Sequence, residues 1–231
     1  MDSFKLLKPY LIILLLLTET GLNAQHFTPV NTGNPYLPMN IIIDSAFLDN
    51  GLLQINDEIA VFDINGDGSA ICVGQVSITS EFTSDTNYII NASADDPTTS
   101  EQDGFINGNE IIFRYWDSSK GREIILINKT FAPSLDDVYQ TQGTAKSGLD
   151  GYSYETWTGN ADTVWSNASN WSFNRIPSLQ FDVIIPNTPT GNRFPVVSSQ
   201  EAKCFNLTIE ENATIKITGK LTIGEYPGIQ F

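Results

Sequence analysis

The chain has 231 residues, with 27 acidic against 12 basic side chains and a formal charge of −15 at pH 7. That acid excess argues against nucleic acid, whose phosphates demand a basic surface, and against simple electrostatic attraction to an anionic membrane. The 2 cysteines exclude a disulfide-dense scaffold, and the 1 histidine removes Ser-His-Asp and Cys-His arrangements and histidine-rich zinc sites.

Residues 1–24 read as a secretory signal peptide. Lys5 and Lys8 flank the apolar run Tyr10–Leu17, and a polar stretch, Thr18–Ala24, ends on a small residue. The apolar core falls far short of the ~18 residues a membrane span needs. Cleavage is expected after Ala24, leaving Gln25 first, and no cysteine follows to accept a lipid. The chain is therefore expected to be secreted, in the extracellular space or at the cell surface, with no membrane span after cleavage. The lone His26 then lies beside the new terminus, where chains usually fray.

Residues 25–140 form a first module of short apolar runs punctuated by turns. Asn40–Leu48, Ile59–Phe62, Ala70–Ile78 and Asn87–Ser93 are predicted strands, rich in β-branched residues. Ile111–Trp116 and Glu123–Asn128 are predicted to pair as a hairpin across Asp117–Gly121, with Trp116 in the core. Such spacing without amphipathic helices points to a β-sandwich. Thr141–Glu155, rich in Gly and Ser, reads as a linker. Residues 156–231 read as a second, small β module that begins a parallel β-helix or solenoid. Its last runs, Cys204–Ile209, Ala213–Ile217 and Lys220–Ile223, resemble successive rungs, against the alternative of a plain meander. The fold class is all-β. Cys72 and Cys204 sit in apolar strands of different modules and are expected to be buried free thiols.

No residues stand in a recognisable catalytic pattern, so no enzyme is expected. The stretch from Asp95 to Asp117 runs from an acidic loop into a core strand, the usual way a scaffold presents a binding site. Asp63, Asn65 and Asp67 place oxygens at alternate positions beside Gly66 and Gly68, as in the first half of a helix-loop-helix calcium site. Gly74 stands where the closing glutamate belongs, and the flanks read as strands, so an ordinary Asp/Asn/Gly turn is the competing reading. Asp95, Asp96, Glu101 and Asp103 are a weaker calcium candidate, against a solvated loop. Trp157, Trp165 and Trp171 suggest either sugar stacking or a cap over the start of the second module.

Asn56–Asp63, Ile71–Gly74, Ala94–Thr99, Asp103–Phe105 and Phe113–Asp117 together resemble a β-sandwich module common in large exported and surface proteins of the Bacteroidetes. Trp157–Gly159, Asn170–Ser172, Ile176–Ser178, Asp182–Pro186 and Cys204–Ile209 look like another module of those proteins, which there precedes a right-handed parallel β-helix. Such proteins often carry a C-terminal sorting domain for type IX secretion. The resemblance implies an adhesin-like surface protein with an extracellular protein or glycan as partner and no catalytic activity. A carbohydrate-binding accessory region of a polysaccharide-active protein is the alternative. The chain stops at Phe231 without a long solenoid or a sorting domain, so the second module is expected to be incomplete, with self-association through its open C-terminal end.

Overall fold

The β-branched and aromatic runs become strands in two sheets that share one core. The computed structural model describes residues 25–31, 33–83, 85–198 and 201–224; the predicted leader lies outside them. The strands of the first unit are β1 (Met39–Leu48), β2 (Gly51–Leu52), β3 (Glu58–Ile64), β4 (Ala70–Ser77), β5 (Tyr88–Ala92), β6 (Ile112–Asp117), β7 (Arg122–Ile124), β8 (Ile127–Phe131) and β9 (Thr144–Gly151). One sheet runs β2-β1-β9-β8, with β5 also on β1; the other runs β4-β3-β6-β7. Met39, Ile41 and Ile43 of β1, Ile59 and Val61 of β3, Phe113 and Tyr115 of β6, and Ala145 and Leu149 of β9 fill a common buried core. Residues two apart point the same way along a strand, and this period sorts them to the inside.

Three expectations are corrected here. Thr141–Glu155 is not a linker: Thr144–Gly151 is β9, a strand paired parallel to β1 and antiparallel to β8. Its glycines serve close packing rather than freedom. A Cβ at Gly148 would stand 2.8 Å from Ser45 Oγ, and one at Gly151 would stand 2.6 Å from the Tyr115 ring. The predicted strand Glu123–Asn128 is broken between sheets, β7 ending at Ile124 and β8 beginning at Ile127 on the other layer. Trp116 is not in the core. It shares a face with Arg114, two residues away, so when Phe113 and Tyr115 turn inward it stands on the outer face.

The second unit comprises β10 (Tyr154–Thr156), β11 (Asp182–Ile185), β12 (Val196–Val197), β13 (Ala202–Cys204), β14 (Leu207–Ile209), β15 (Lys216–Ile217) and β16 (Leu221–Ile223). Every pairing among them is parallel: β10-β11-β14, β12-β15 and β13-β16. Val183 aligns with Leu207, Val196 with Lys216 and Ala202 with Leu221, so each position recurs after 24, 20 and 19 residues. Cys204–Ile209, Ala213–Ile217 and Lys220–Ile223 are thus not successive rungs. They contribute β14, β15 and β16, three sides of one coil, stacked on an earlier coil of β11, β12 and β13. The spacing between the runs is too short for a full return. Arg122 joins the two units: its Nη2 and Nη1 reach the Asp182 carboxylate at 2.8 and 3.2 Å, and Nη2 also donates to Ser153 O. Arg and carboxylate meet here as a two-pronged pair.

Candidate functional site

Asp63 is the last residue but one of β3 and is 1% exposed. A buried carboxylate must find donors for its oxygens, and Asp63 finds four. Oδ1 accepts from Ile64 N and Asn109 Nδ2, each at 2.8 Å; Oδ2 accepts from Ile106 N at 2.8 Å and Gln102 Nε2 at 3.0 Å. This side chain therefore fastens the loop before β6 to the end of β3. The loop also closes on itself. Asp103 N donates to Asp95 Oδ1 at 2.9 Å, Asp96 N donates to Asp103 Oδ1 at 3.0 Å, and Asp96 Oδ1 takes the N–H and hydroxyl of Thr98. Those Thr98 bonds hold the Asp96 carboxyl below its usual pKa. Glu101 is exposed. Gly104 is needed where the loop closes, because a Cβ there would stand 2.1 Å from Ala94 O.

Of the calcium candidates, Asp63 is committed to the loop, while Asn65 and Asp67 shape their own turn. Asn65 Oδ1 accepts from Gly66 N at 2.6 Å, and Asp67 Oδ1 accepts from Ser69 N at 2.8 Å. Bonds from Ser69 also lower the Asp67 pKa. Among the described residues no cluster of three or more His, Cys, Asp or Glu side chains is arranged to hold a metal ion. The two acidic stretches do meet, through Gln102 and Asp63.

The outer face of β3 is covered by the residues that follow Gln25. His26 N and Phe27 N donate to the two oxygens of Glu58 at 2.7 and 2.9 Å, and Val30 N donates to Cys72 O at 2.8 Å. The His26 ring lies on Trp116 at 3.7 Å with the planes 8° apart, and its Nε2 is 2.9 Å from Glu123 Oε1. His26 is thus pinned rather than frayed, because the sheet supplies a carboxylate and an aromatic face for it. Beside this strap a cleft of about 960 Å³ opens, floored by Phe62 and Cys72 and edged by Ile64 and Val30. Arg114 lies over the Phe62 ring at 4.2 Å and is 3.3 Å from Glu123. Cys72 is a free thiol, as is Cys204, and burial pushes them up to about 12 and about 11, leaving both as poorly nucleophilic thiols at neutral pH.

In the second unit Asn170 plays the part Asp63 plays in the first. Fully buried, its Oδ1 accepts from Ala161 N and Asp162 N, each at 2.9 Å. Its Nδ2 donates to Asp162 Oδ1 at 2.6 Å and Val164 O at 3.0 Å. Trp157, Trp165 and Trp171 pack edge to face, with Trp171 centroids 5.0 Å from Trp157 and 4.7 Å from Trp165. All three are buried, so they present no indole face to a sugar. They fill the start of the stack.

Residues 156–226 match the model of a family described as "Domain of unknown function (DUF8693)". No curated protein and no solved structure matches the chain. The matched span runs from the tryptophan cluster through β16, so the family's signature covers the coiled unit and not the first unit. Sequence reasoning singled out Asp63 and the tryptophans but missed Glu58, Arg122 and the central role of Asn170. The partners of Glu58 and Arg122 lie 31 or more residues away, beyond any local pattern. Those of Asn170 lie 6 to 9 residues away, but an asparagine in a turn-rich stretch looks the same whether it is buried or solvated.

Proposed function

We propose that the chain is an extracellular structural and interaction protein, in which a β-sandwich carries the start of a parallel β-helix. The observation that carries this reading is the repeated parallel register of the second unit on three sides, a scaffold built to extend by stacking. Two further features support it. The strap from His26 onward is bound to the sheet, so a cut after Ala24 removes none of these strap contacts. The polar groups gathered at Asp63 and Asn170 hold loops in place rather than converge on a reacting centre. The role is adhesin-like, without catalysis, toward an extracellular protein or glycan. The buried tryptophans leave a sugar-stacking accessory module with less support.

The test is export. Cells producing the full chain with its leader should release a product beginning at Gln25, or display one that protease removes from intact cells. An uncleaved chain retained inside the cell would overturn the reading.

A further inference from the structure

We propose that Asn65 is a site of self-modification: its side-chain amide is lost to attack by Gly66 N, leaving aspartate or isoaspartate in the turn between β3 and β4. Asparagine followed by glycine is the sequence that hinders this reaction least, because no Cβ crowds the attacking nitrogen. The chain has three such steps, Asn50-Gly51, Asn65-Gly66 and Asn107-Gly108, and the fold treats them differently.

Asn107 is locked. Its Oδ1 accepts from Thr141 N at 2.8 Å and from Thr141 Oγ1 at 3.1 Å, while Gly108 N donates to Tyr139 O at 2.8 Å. The carbon to be attacked and the attacking nitrogen are both held by other groups. Asn50 is restrained by its hairpin. Asp49 and Asn50 have φ of 54° and 68° and form the two-residue turn closed by the Leu48–Gly51 pair. In such a hairpin the amide after the turn bonds back to the strand before it, so Gly51 N is directed at Leu48 rather than at the Asn50 side chain.

At Asn65 the reacting groups face each other. Gly66 N donates to Asn65 Oδ1 at 2.6 Å, so the nitrogen already lies against the amide it must attack. Asn65 N donates to Ser69 O at 2.7 Å and Asn65 O accepts from Gly68 N at 2.8 Å, which fixes the backbone around the reacting atoms. Gly66 and Asp67 are exposed, and that admits water.

Water is the one co-reactant. Gly66 N gives up its proton and bonds to Asn65 Cγ; the Cγ–Nδ2 bond breaks, and Nδ2 leaves as ammonia from a cyclic imide. Water then opens the ring at either carbonyl. Opening at Cγ leaves aspartate. Opening at the main-chain carbonyl leaves isoaspartate, with one more carbon in the main chain. Either product adds a carboxylate to the turn whose residues Asp67, Gly68 and Ser69 edge the cleft beside the strap.

The test is to age the purified full chain in mildly alkaline buffer, folded and in urea, and to follow the three steps by peptide mass spectrometry. An isoaspartate-specific methyltransferase marks the second product. In the folded chain Asn65 should convert at least about 30-fold faster than Asn107, whose hydrogen bonds must break first. In urea the three steps should react at similar rates, because only the fold distinguishes them. Gly66→Ala should slow Asn65 several-fold by crowding the nitrogen, with the fold kept, since a Cβ there meets nothing within 4 Å. Conversion led by Asn50 or Asn107 in the folded chain overturns the proposal. So does an Asn65 suppressed by folding as strongly as Asn107, or a Gly66→Ala chain that reacts as fast as the parent.

Discussion

Two loops of this molecule each hang on one buried polar side chain, and the two side chains differ by a single amide group. Asp63 meets only donors: two backbone N–H groups and the amides of Gln102 and Asn109. Asn170 meets donors with its oxygen and acceptors with its nitrogen, the latter including the carboxylate of Asp162. A loop that presents only N–H groups needs a carboxylate at its centre; a loop that presents both kinds needs an amide. Near-identical shape does not make the two interchangeable, because a buried group is judged by whether every partner is matched.

Exchanging them tests this. Asn170→Asp should be the more damaging, because it sets a carboxylate against Asp162 Oδ1, now 2.6 Å from Asn170 Nδ2, and strips Val164 O of its donor. A loss of about 3–5 kcal/mol is expected in urea unfolding, the range for an uncompensated buried charge. A variant as stable as the parent would mean that the 158–170 loop is not held by Asn170. Asp63→Asn should cost less, about 2–3 kcal/mol. Whichever way the new amide turns, its NH₂ faces a backbone N–H that cannot reorient, Ile64 N or Ile106 N. Limited proteolysis should then cut first within 95–110. If the first cut falls in the second unit instead, Asp63 does not organise that loop.

The same contrast shows what the sequence could reveal. Asn40–Leu48 and Ile59–Phe62 were legible as strands because β-branched residues fit a pleated, buried surface on their own account. Thr144–Gly151 was not, because Gly148 and Gly151 are there for close approach to Ser45 and Tyr115, and a glycine chosen for packing looks like one chosen for freedom. Asp63 stood out through its own residue type and spacing, which suggested a metal ligand. Its loop partners Gln102 and Asn109 lie 39 and 46 residues away, beyond any local pattern. The three short runs at the C-terminus were recognisable as parts of a stack, but whether each is a rung or a side depends on register, which only the pairing of β14, β15 and β16 with the earlier coil supplies.

Glu155 sharpens the comparison at a smaller scale, because it is a buried carboxylate with fewer donors than Asp63. Its Oε2 accepts from Ser172 Oγ at 2.9 Å and Phe173 N at 3.0 Å. Arg175 Nε stands 3.3 Å from Oε1, without the alignment of a hydrogen bond. Burial raises the Glu155 pKa, against the lowering effect of Phe173, Ser172 and Arg175. An acid whose pKa is raised on folding binds its proton more readily in the folded chain. Its contribution is therefore fully present below the ordinary carboxylate pKa and is lost as pH rises through the raised one. Glu155→Gln stays neutral throughout. Whatever the substitution costs at low pH, its stability relative to the parent should improve as pH rises across that window. Urea unfolding of the two proteins at a series of pH values checks this. A difference that stays constant, or moves against the variant as pH rises, would show that Arg175 and the two donors outweigh burial at Glu155.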